Sequence, residues 1–218
     1  MAFAVVLIKE NYPERIMNRI LDRVDDEPTS REKYMIKGWS RSLSDFQADI
    51  VFLGDSITCG GEWSEYFPEQ SVCNLSIPGD GIPFIKYRAT MIDQLSPQKV
   101  FIMAGVNNIG VKEEQFRESL FSEEYRNIVK YLDGLDVEIF IESILPVCDP
   151  SPVCNSSIIK ANEILKEIAN DFNCTYVDLH SLFVDESGSL KKELSKDGVH
   201  LKPDSYAIWV DEIRKYVS

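Results

Sequence analysis

Short apolar runs alternate with longer amphipathic segments from residue 50 to the end of the chain. The run Lys99 to Met103 is typical, because four of its five residues are apolar and they follow one another without interruption. Continuous apolar strands of this kind are buried on both faces of a sheet. Strands that alternate with helices form a parallel sheet covered by helices on both sides. The sequence therefore predicts an α/β protein, a three-layer αβα sandwich around a five-stranded parallel sheet.

The predicted elements are spaced evenly along this region. Five strands are predicted at residues 50–53, 71–75, 99–103, 137–142 and 174–178. Helical periodicity predicts helices at residues 83–95, 113–132, 156–171 and 203–216, the last with Pro203 near its start. Residues 11–47 also have helical periodicity, interrupted by an acidic turn at residues 25–28. We expect residues 1–47 to be a helical extension packed on a core domain of residues 48–218.

The charge of the chain limits its partners. It has 218 residues and a formal net charge of −13. A surface with this charge repels phosphate groups, which argues against binding to nucleic acid or to an anionic membrane. A chain of this length buries most of its apolar surface in one core. A small molecule is the expected partner, and the sequence predicts no oligomeric state.

The first residues form a short apolar segment, Ala2 to Ile8. Its seven residues are too few to cross a bilayer, which takes about 20. It has no basic leader and no small-residue cleavage site. Two interpretations stay open: the remaining end of a membrane anchor or export signal, or an edge element packed on the core. The location is accordingly left open between cytoplasmic and anchored or exported.

The cysteines do not indicate a disulfide framework or a metal site. There are five, an odd number, at residues 59, 73, 148, 154 and 174. We expect most of them to be buried thiols, and a bridge between Cys148 and Cys154 is the one alternative left open. No CxxC or HxxxH pattern supplies zinc ligands. The sequence therefore predicts no metal and no cofactor.

Polar and glycine-rich positions directly follow the first three predicted strands. Ser56 follows the first strand, Gly79 the second and Asn107 the third. Active groups of such sheets gather where the carboxyl ends of the strands meet. A serine at a sharp turn can supply both a nucleophilic hydroxyl and a backbone N–H donor. A glycine N–H and an asparagine amide can donate to the same substrate oxygen.

Each of these residues also has a structural interpretation. Ser56 can be a helix N-cap, Gly79 part of a Pro-Gly turn, and Asn107 a loop-capping residue. The case for chemistry is stronger near the C-terminus, where Asp197 precedes His200 by three residues. Imidazole suits general-base work at neutral pH, and a carboxylate that accepts its ring N–H fixes its tautomer. For His180, the other histidine, we expect only a surface or loop role.

These four segments, taken in order, resemble the four sequence blocks of the SGNH hydrolases, also called GDSL esterases and lipases. The residues concerned are Gly54-Asp-Ser56-Ile-Thr, Gly79, Gly105-Val-Asn107 and Asp197-Gly-Val-His200. The likeness runs from about residue 48 to the C-terminus. The stretch from Trp63 to Gly79 is most similar to the platelet-activating-factor acetylhydrolase-like and lysophospholipase-L1-like branch.

The resemblance implies a flavodoxin-like SGNH fold and a set of roles. Ser56 is the expected nucleophile, His200 the base and Asp197 the residue that orients it. The backbone N–H groups of Ser56 and Gly79, with the Asn107 amide, form the expected oxyanion hole. Two positions depart from the family pattern. Ile57 replaces a common leucine, which should leave the turn intact. Asn108 stands where many members have aspartate, which removes a charge beside the expected oxyanion hole; we expect this to alter the hydrogen bonds of the loop or the substrate preference, without removing a catalytic role.

The expected function is a serine esterase that cleaves small acyl esters, with O-acetyl groups on carbohydrate as the first choice. A lysophospholipase or thioesterase acting on longer acyl chains remains an alternative. So do an acyltransferase that uses the same acyl-enzyme and a non-catalytic SGNH-like binding protein. The loop from Val147 to Ser156 is the expected specificity element, because it follows a strand at the active edge.

Overall fold

The computed structural model describes residues 46–110, 112–151 and 153–217. Apart from Phe46 and Gln47, the helices predicted within residues 11–47 lie outside the described residues. The proposed division of the chain at residue 48 therefore stays a prediction.

A five-stranded parallel sheet forms the centre of the molecule. Its strands are β1 (Ile50–Gly54), β2 (Val72–Asn74), β3 (Lys99–Met103), β4 (Glu138–Glu142) and β5 (Thr175–Val177). Their spatial order is β2-β1-β3-β4-β5, and every pair is parallel. The predicted α/β sandwich is confirmed, and each strand boundary lies within one residue of its prediction.

The connections between the strands are helical. The helices are α1 (Ser56–Cys59), α2 (Trp63–Tyr66), α3 (Ile82–Ala89), α4 (Ile92–Leu95), α5 (Glu118–Asp133), α6 (Asn155–Asp171), α7 (His180–Phe183) and α8 (Tyr206–Val217). Short 3₁₀ turns precede α5 and α8, at Glu113–Gln115 and Pro203–Ser205. None of the helices in the described ranges is long and apolar enough to cross a membrane.

The two faces of the sheet have different side chains. Phe52, Phe101 and Phe140 lie side by side on one face, with ring centroids 5.2 and 4.4 Å apart. Trp63 of α2 stacks on Phe52 at 4.1 Å and meets the edge of Trp209 of α8 at 5.0 Å. Aromatic pairs in these arrangements contribute more than their buried area alone. The stack fixes α2 and α8 against this face. The opposite face is aliphatic and is covered by α3, α5 and α6.

Two predicted helices differ from the structure: one is interrupted and the other begins later than predicted. The helix expected at residues 83–95 ends at Ala89 and resumes at Ile92. The Thr90 hydroxyl donates to the Tyr87 carbonyl at 2.7 Å, a local bond that competes with helix continuation. The helix expected at residues 113–132 begins only at Glu118, because Phe116 has an extended backbone.

Glu142 is a buried acid near the carboxyl end of β4. It is fully buried, and its Oε1 accepts from the Trp209 indole N–H at 2.6 Å, while its Oε2 has no hydrogen-bond partner. Burial raises the pKa of Glu142 from 4.5 to about 8, although the indole bond opposes the shift. Glu142 therefore keeps its proton at neutral pH in the folded protein.

We predict that Glu142→Gln flattens the pH dependence of stability. Between pH 4.5 and about 8 the folded protein holds a proton on Glu142 that the unfolded chain releases, so stability falls as pH rises through this window. Glutamine keeps the acceptor for Trp209 and carries no such proton. The variant should gain about 1–3 kcal/mol relative to wild type at pH 8 and little near pH 4.5.

Urea unfolding at a series of pH values measures this difference. Glu138→Gln, at an exposed glutamate of the same strand, is the matched control and should leave the wild-type slope unchanged. Identical slopes in wild type and Glu142→Gln would contradict the prediction.

Candidate active site

Ser56 begins a one-turn helix directly after β1. The residue before it, Asp55, is the N-cap of α1, and its Oδ1 accepts from the Ile57 N–H at 3.0 Å. This bond satisfies a free N–H of the helix start. Ser56 itself is half-buried, whereas Asp55 and Ile57 are buried. The turn therefore presents the serine at the surface while its buried neighbours, Ile57 among them, anchor it.

Gly54 allows α1 to lie tightly against the end of β3. A Cβ atom at this position would meet the Met103 carbonyl oxygen and the Thr58 side chain closer than real Cβ atoms approach. The Thr58 hydroxyl donates to that same carbonyl at 3.0 Å. On the other side of α1, the Tyr206 hydroxyl donates to the Ile57 carbonyl at 2.6 Å. The serine turn is thus held between β3 and α8.

Asp55 carries an unusual carboxyl group beside the serine. Its second oxygen is buried without a hydrogen-bond partner. Burial raises the pKa of Asp55 from 3.8 to about 7, against the opposing effects of the Ile57 N–H and the Arg88 charge. No role for Asp55 could be predicted from the sequence, because an N-cap acid after a strand has the same pattern as any other turn residue.

A continuous hydrogen-bonded chain joins the three residues predicted as a triad. The His200 Nε2 lies 2.8 Å from the Ser56 Oγ, and the His200 Nδ1 lies 2.7 Å from the Asp197 Oδ2. Ser56 and His200 are 144 residues apart in sequence. A serine paired with an imidazole that is itself oriented by a carboxylate is the arrangement that activates a hydroxyl for attack.

The short loop around His200 fixes the orientation of the imidazole. The Asp197 Oδ1 accepts from the backbone N–H groups of His200 and Val199 at 2.8 and 3.1 Å. Partial burial opposes ionisation of Asp197, but these N–H groups and the imidazole outweigh it and lower the pKa of this carboxyl. The Ser195 hydroxyl closes the turn by donating to the His200 carbonyl at 2.9 Å. Asp197 is therefore ionised and held in place at neutral pH.

Gly79 and Asn107 lie on two loops that are hydrogen-bonded to each other. The Asn107 Nδ2 donates to the carbonyl of Asp80, the residue after Gly79, at 2.9 Å. A primary amide has two hydrogens, so the same nitrogen retains one for another acceptor. Gly79 is exposed, has a φ of +84°, and has open space where a Cβ would lie. Glycine adopts this left-handed conformation without steric cost.

Asn108 has a structural partner. Its Oδ1 accepts from the Ile82 N–H at 2.9 Å, at the start of α3. The departure from the family pattern noted in the sequence thus places a neutral acceptor at a helix N-terminus. Neighbouring asparagines 107 and 108 both bind the chain segment that follows Gly79.

The predicted specificity loop lies beside the His200 turn. The Cys148 N–H donates to the Gly198 carbonyl at 2.8 Å. At the base of the loop, the Asn155 side chain accepts from the Val147 N–H at 2.9 Å and donates to the Val147 carbonyl at 2.8 Å. The two ends of the loop are thus clamped together by one side chain.

The cysteines and His180 differ in part from expectation. All five cysteines are free thiols, and only Cys73 is buried, so the expectation of mostly buried thiols is wrong. Cys59, the last residue of α1, is exposed. His180 begins α7, is half-buried, and donates its backbone N–H to the Ser143 hydroxyl at 2.7 Å. No group of three potential metal ligands occurs in the described part of the chain.

A buried cation, Arg88, lies beside the serine turn and was not predicted from the sequence. Arg88 of α3 is 1% exposed and donates to the carbonyl of Gly54, two residues before Ser56, at 2.8 Å. Its guanidinium also pairs with the Asp80 carboxylate. In the sequence, Arg88 falls in a segment that reads as an ordinary amphipathic helix. A buried arginine gives no signal in the hydrophobic pattern.

The residues of this site lie within the part of the chain that matches a known protein family. The model of the GDSL-like lipase/acylhydrolase family matches residues 52–208, which include the serine turn and the His200 loop. The chain belongs to this family. The GDSL hydrolase is therefore an ester-cleaving enzyme, and the resemblance found in the sequence is confirmed.

Solved structures share the fold of this GDSL hydrolase. A Streptococcus pneumoniae protein named after platelet activating factor is 22% identical, with a TM-score of 0.74 and coverage of 100% of both chains. A GDSL-like lipase from Bacteroides thetaiotaomicron is 21% identical, with a TM-score of 0.71 over 84% of this chain and 96% of that chain. An acetyl xylan esterase, AlAXEase, is 20% identical, with a TM-score of 0.68 over 78% of this chain and 99% of that chain. No curated protein sequence gives a significant match.

We predict that Gly54→Ala destabilises the GDSL hydrolase. The added methyl group would push α1 away from the Met103 carbonyl, which lies on a rigid strand. Overpacking of this kind reduces the free energy of unfolding by about 1–3 kcal/mol. Turnover of the folded protein should fall as well, because the serine turn moves with α1.

Gly134→Ala is the matched control for this experiment. Gly134 is the C-cap of α5, with an ordinary helical φ of −70°, and a Cβ there would approach only carbonyl oxygens of the preceding helical turn, at 3.3 Å or more. Denaturant unfolding should show little change for the control. Equal unfolding midpoints for Gly54→Ala and wild type would show that α1 does not depend on this close approach.

Proposed function

We propose that the protein is a serine esterase that cleaves small acyl esters, foremost O-acetyl groups on carbohydrate, through an acyl-enzyme on Ser56. The observation that carries the proposal is the hydrogen-bonded chain from Asp197 through His200 to the Ser56 hydroxyl. Family membership supports ester cleavage in general. The choice of substrate is the additional step.

In the first half of the proposed reaction, the Ser56 Oγ attacks the ester carbonyl carbon. The His200 Nε2 takes the hydroxyl proton, and Asp197 stabilises the resulting imidazolium. The carbonyl oxygen becomes an oxyanion that accepts hydrogen bonds from the backbone N–H groups of Ser56 and Gly79 and from the Asn107 amide. His200 then gives its proton to the leaving alcohol oxygen as the ester C–O bond breaks.

In the second half, water hydrolyses the acyl-enzyme. His200 takes a proton from the water as the water oxygen attacks the acyl carbon, and the same donors hold the second oxyanion. The bond from the acyl carbon to the Ser56 Oγ breaks, and His200 returns the proton to that oxygen. The carboxylic acid leaves, and the triad is restored. Besides the ester and water, each step of this cycle is assigned to side chains and backbone groups of the chain.

Two observations support a small acyl group on a carbohydrate. One of the structures that share the fold is named an acetyl xylan esterase, and the present chain covers 99% of it. The net charge of −13 disfavours docking on anionic lipid. The second candidate is a lysophospholipase or thioesterase acting on longer acyl chains. It is favoured by the Bacteroides relative, which is named a GDSL-like lipase.

The testing experiment compares wild type with Ser56→Ala on p-nitrophenyl acetate, butyrate and octanoate, and on an acetylated xylo-oligosaccharide. We expect wild-type kcat/KM to fall with acyl length and to drop at least about a thousandfold in Ser56→Ala. A rise with acyl length would favour the longer-chain candidate. Equal rates in the two proteins on every substrate would exclude an acyl-enzyme on Ser56.

We further predict that Asn107→Ala reduces kcat about 100- to 1000-fold with little change in KM. The reason is that the amide is proposed to act on the oxyanion, which exists only after attack has begun. Steady-state kinetics on p-nitrophenyl acetate gives both constants.

Asn108→Ala is the matched control for this prediction. Asn108 is the adjacent residue, is also half-buried, and also binds the segment after Gly79. It should cost about 1 kcal/mol of stability and leave kcat within a few fold of wild type. Similar kcat losses in both variants would mean that Asn107 acts only by holding the loop.

A further inference from the structure

A single buried guanidinium connects the separate segments of the proposed oxyanion hole. Arg88 donates from Nη2 to the Gly54 carbonyl at 2.8 Å and from Nε to the Leu75 carbonyl at 2.6 Å. Its Nη1 pairs with the Asp80 carboxylate. The side chain is only 1% exposed, so these protein acceptors replace the water that would otherwise solvate the charge.

Each acceptor belongs to a segment that carries one of the proposed donors. Gly54 ends β1 and lies two residues before Ser56. Leu75 and Asp80 bracket the loop that contains Gly79. The backbone carbonyl of Asp80 in turn accepts from the Asn107 amide at 2.9 Å. The guanidinium is thus hydrogen-bonded to the Ser56 segment and to the Gly79 loop. It is connected to the Asn107 segment through Asp80, which binds both side chains.

We propose that Arg88 is a positioning residue that sets the distance between the Ser56 turn and the Gly79 loop, and so aligns the oxyanion hole. This role rests on the proposed function. Arg88 makes its contacts through backbone carbonyls and a carboxylate, and it is not itself proposed to touch the substrate.

The loop needs such a brace because few other bonds join it to β1. The Leu75 N–H donates to the Phe52 carbonyl at 2.8 Å, and the Ile77 N–H donates to the Gly54 carbonyl at 3.3 Å. After Ile77, the loop turns away through the exposed Gly79. A displacement of about 1 Å in a group that stabilises a transition state reduces the rate by about a hundredfold. Arg88 contacts this loop on both sides of Gly79, at the Leu75 carbonyl and at the Asp80 carboxylate.

Only arginine can make this set of contacts. The guanidinium is a rigid planar fork with five N–H donors, and here it serves three acceptors in different directions. A lysine ammonium can keep the charge pair with Asp80, but it cannot also reach both carbonyls in this fixed geometry. Buried ion pairs contribute little net stability compared with apolar side chains of similar size. We therefore attribute the burial of the Arg88–Asp80 pair to the placement of the Gly79 loop and not to stability.

The test is Arg88→Lys, which retains a positive charge opposite Asp80. We expect kcat on p-nitrophenyl acetate to fall about 10- to 100-fold and KM to change less than about threefold. The inhibition constant of a methyl trifluoromethyl ketone, which forms a tetrahedral adduct with the serine, should rise by the same factor as kcat/KM falls. An inhibition constant equal to that of wild type would overturn the proposal.

Arg126→Lys is the matched control. Arg126 also pairs with an aspartate, Asp171, at 2.6 Å, but the pair is exposed and lies on α5 and α6. It should leave kcat, KM and the inhibition constant at wild-type values. If Arg88→Lys does not fold, Asp80→Asn provides the same measurements, because it weakens the contact at the far end of the loop while leaving both carbonyl bonds. A normal kcat in the folded variant would count against the proposal.

A double-mutant cycle with Asn107→Ala separates positioning from a general loss of stability. If Arg88 acts by aligning the oxyanion donors, Arg88→Lys should reduce kcat much less in the Asn107→Ala background than in wild type. Losses that multiply fully would overturn the role. Ser56→Ala tests the proposed function independently. If Ser56→Ala abolishes turnover and Arg88→Lys leaves it normal, only the positioning role fails.

Discussion

Parallel pairing of β1 with β3 is the constraint on which the site depends. In-register pairing brings Gly54 opposite Met103, so both strands end at the same edge. Ser56 follows β1 and Asn107 follows β3, so the two residues lie at the same edge of the sheet. The chain leaves the sheet at this edge, because parallel strands are joined by crossover connections. The missing Cβ of Gly54 lets α1 pack directly on the end of β3. This contact holds the serine turn in a fixed position relative to the end of β3.

The second half of the site is attached through the aromatic face of the sheet. Trp63 stacks on Phe52 of β1 and meets the edge of Trp209 of α8, so it joins the helix to the strand. The His200 loop lies just before α8, and the Tyr206 hydroxyl at the start of that helix binds the Ile57 carbonyl. Hydrophobic burial thus determines where the helix lies, and a few hydrogen bonds determine where the imidazole lies relative to the serine. The position of the polar site therefore depends on the packing of the apolar core.

Much of this arrangement could be predicted from the sequence. The strands were placed within one residue because continuous apolar runs have few other interpretations, and the spacing of Asp197 and His200 matches a local turn. The break after Ala89 could not be predicted, because the Thr90 hydroxyl bond competes with a periodic pattern that continues past it. The contacts of Arg88 with Gly54 and Leu75, and the bond from the Ile82 N–H to Asn108, were missed for another reason. Their partners are distant in sequence, and only the assembled sheet edge brings them together.

The clamp between Asn155 and Val147 has an evolutionary consequence. One amide side chain closes the base of the loop, so the sheet and α6 are held together whatever the residues between the two ends are. Loops can change length and composition at little thermodynamic cost when their ends are fixed. The residues of this segment, which lies beside the His200 turn, can therefore change in evolution without disturbing the sheet or α6. We expect such changes to leave the hydrogen-bonded chain to Ser56 in place, and we propose that they would alter the substrate preference.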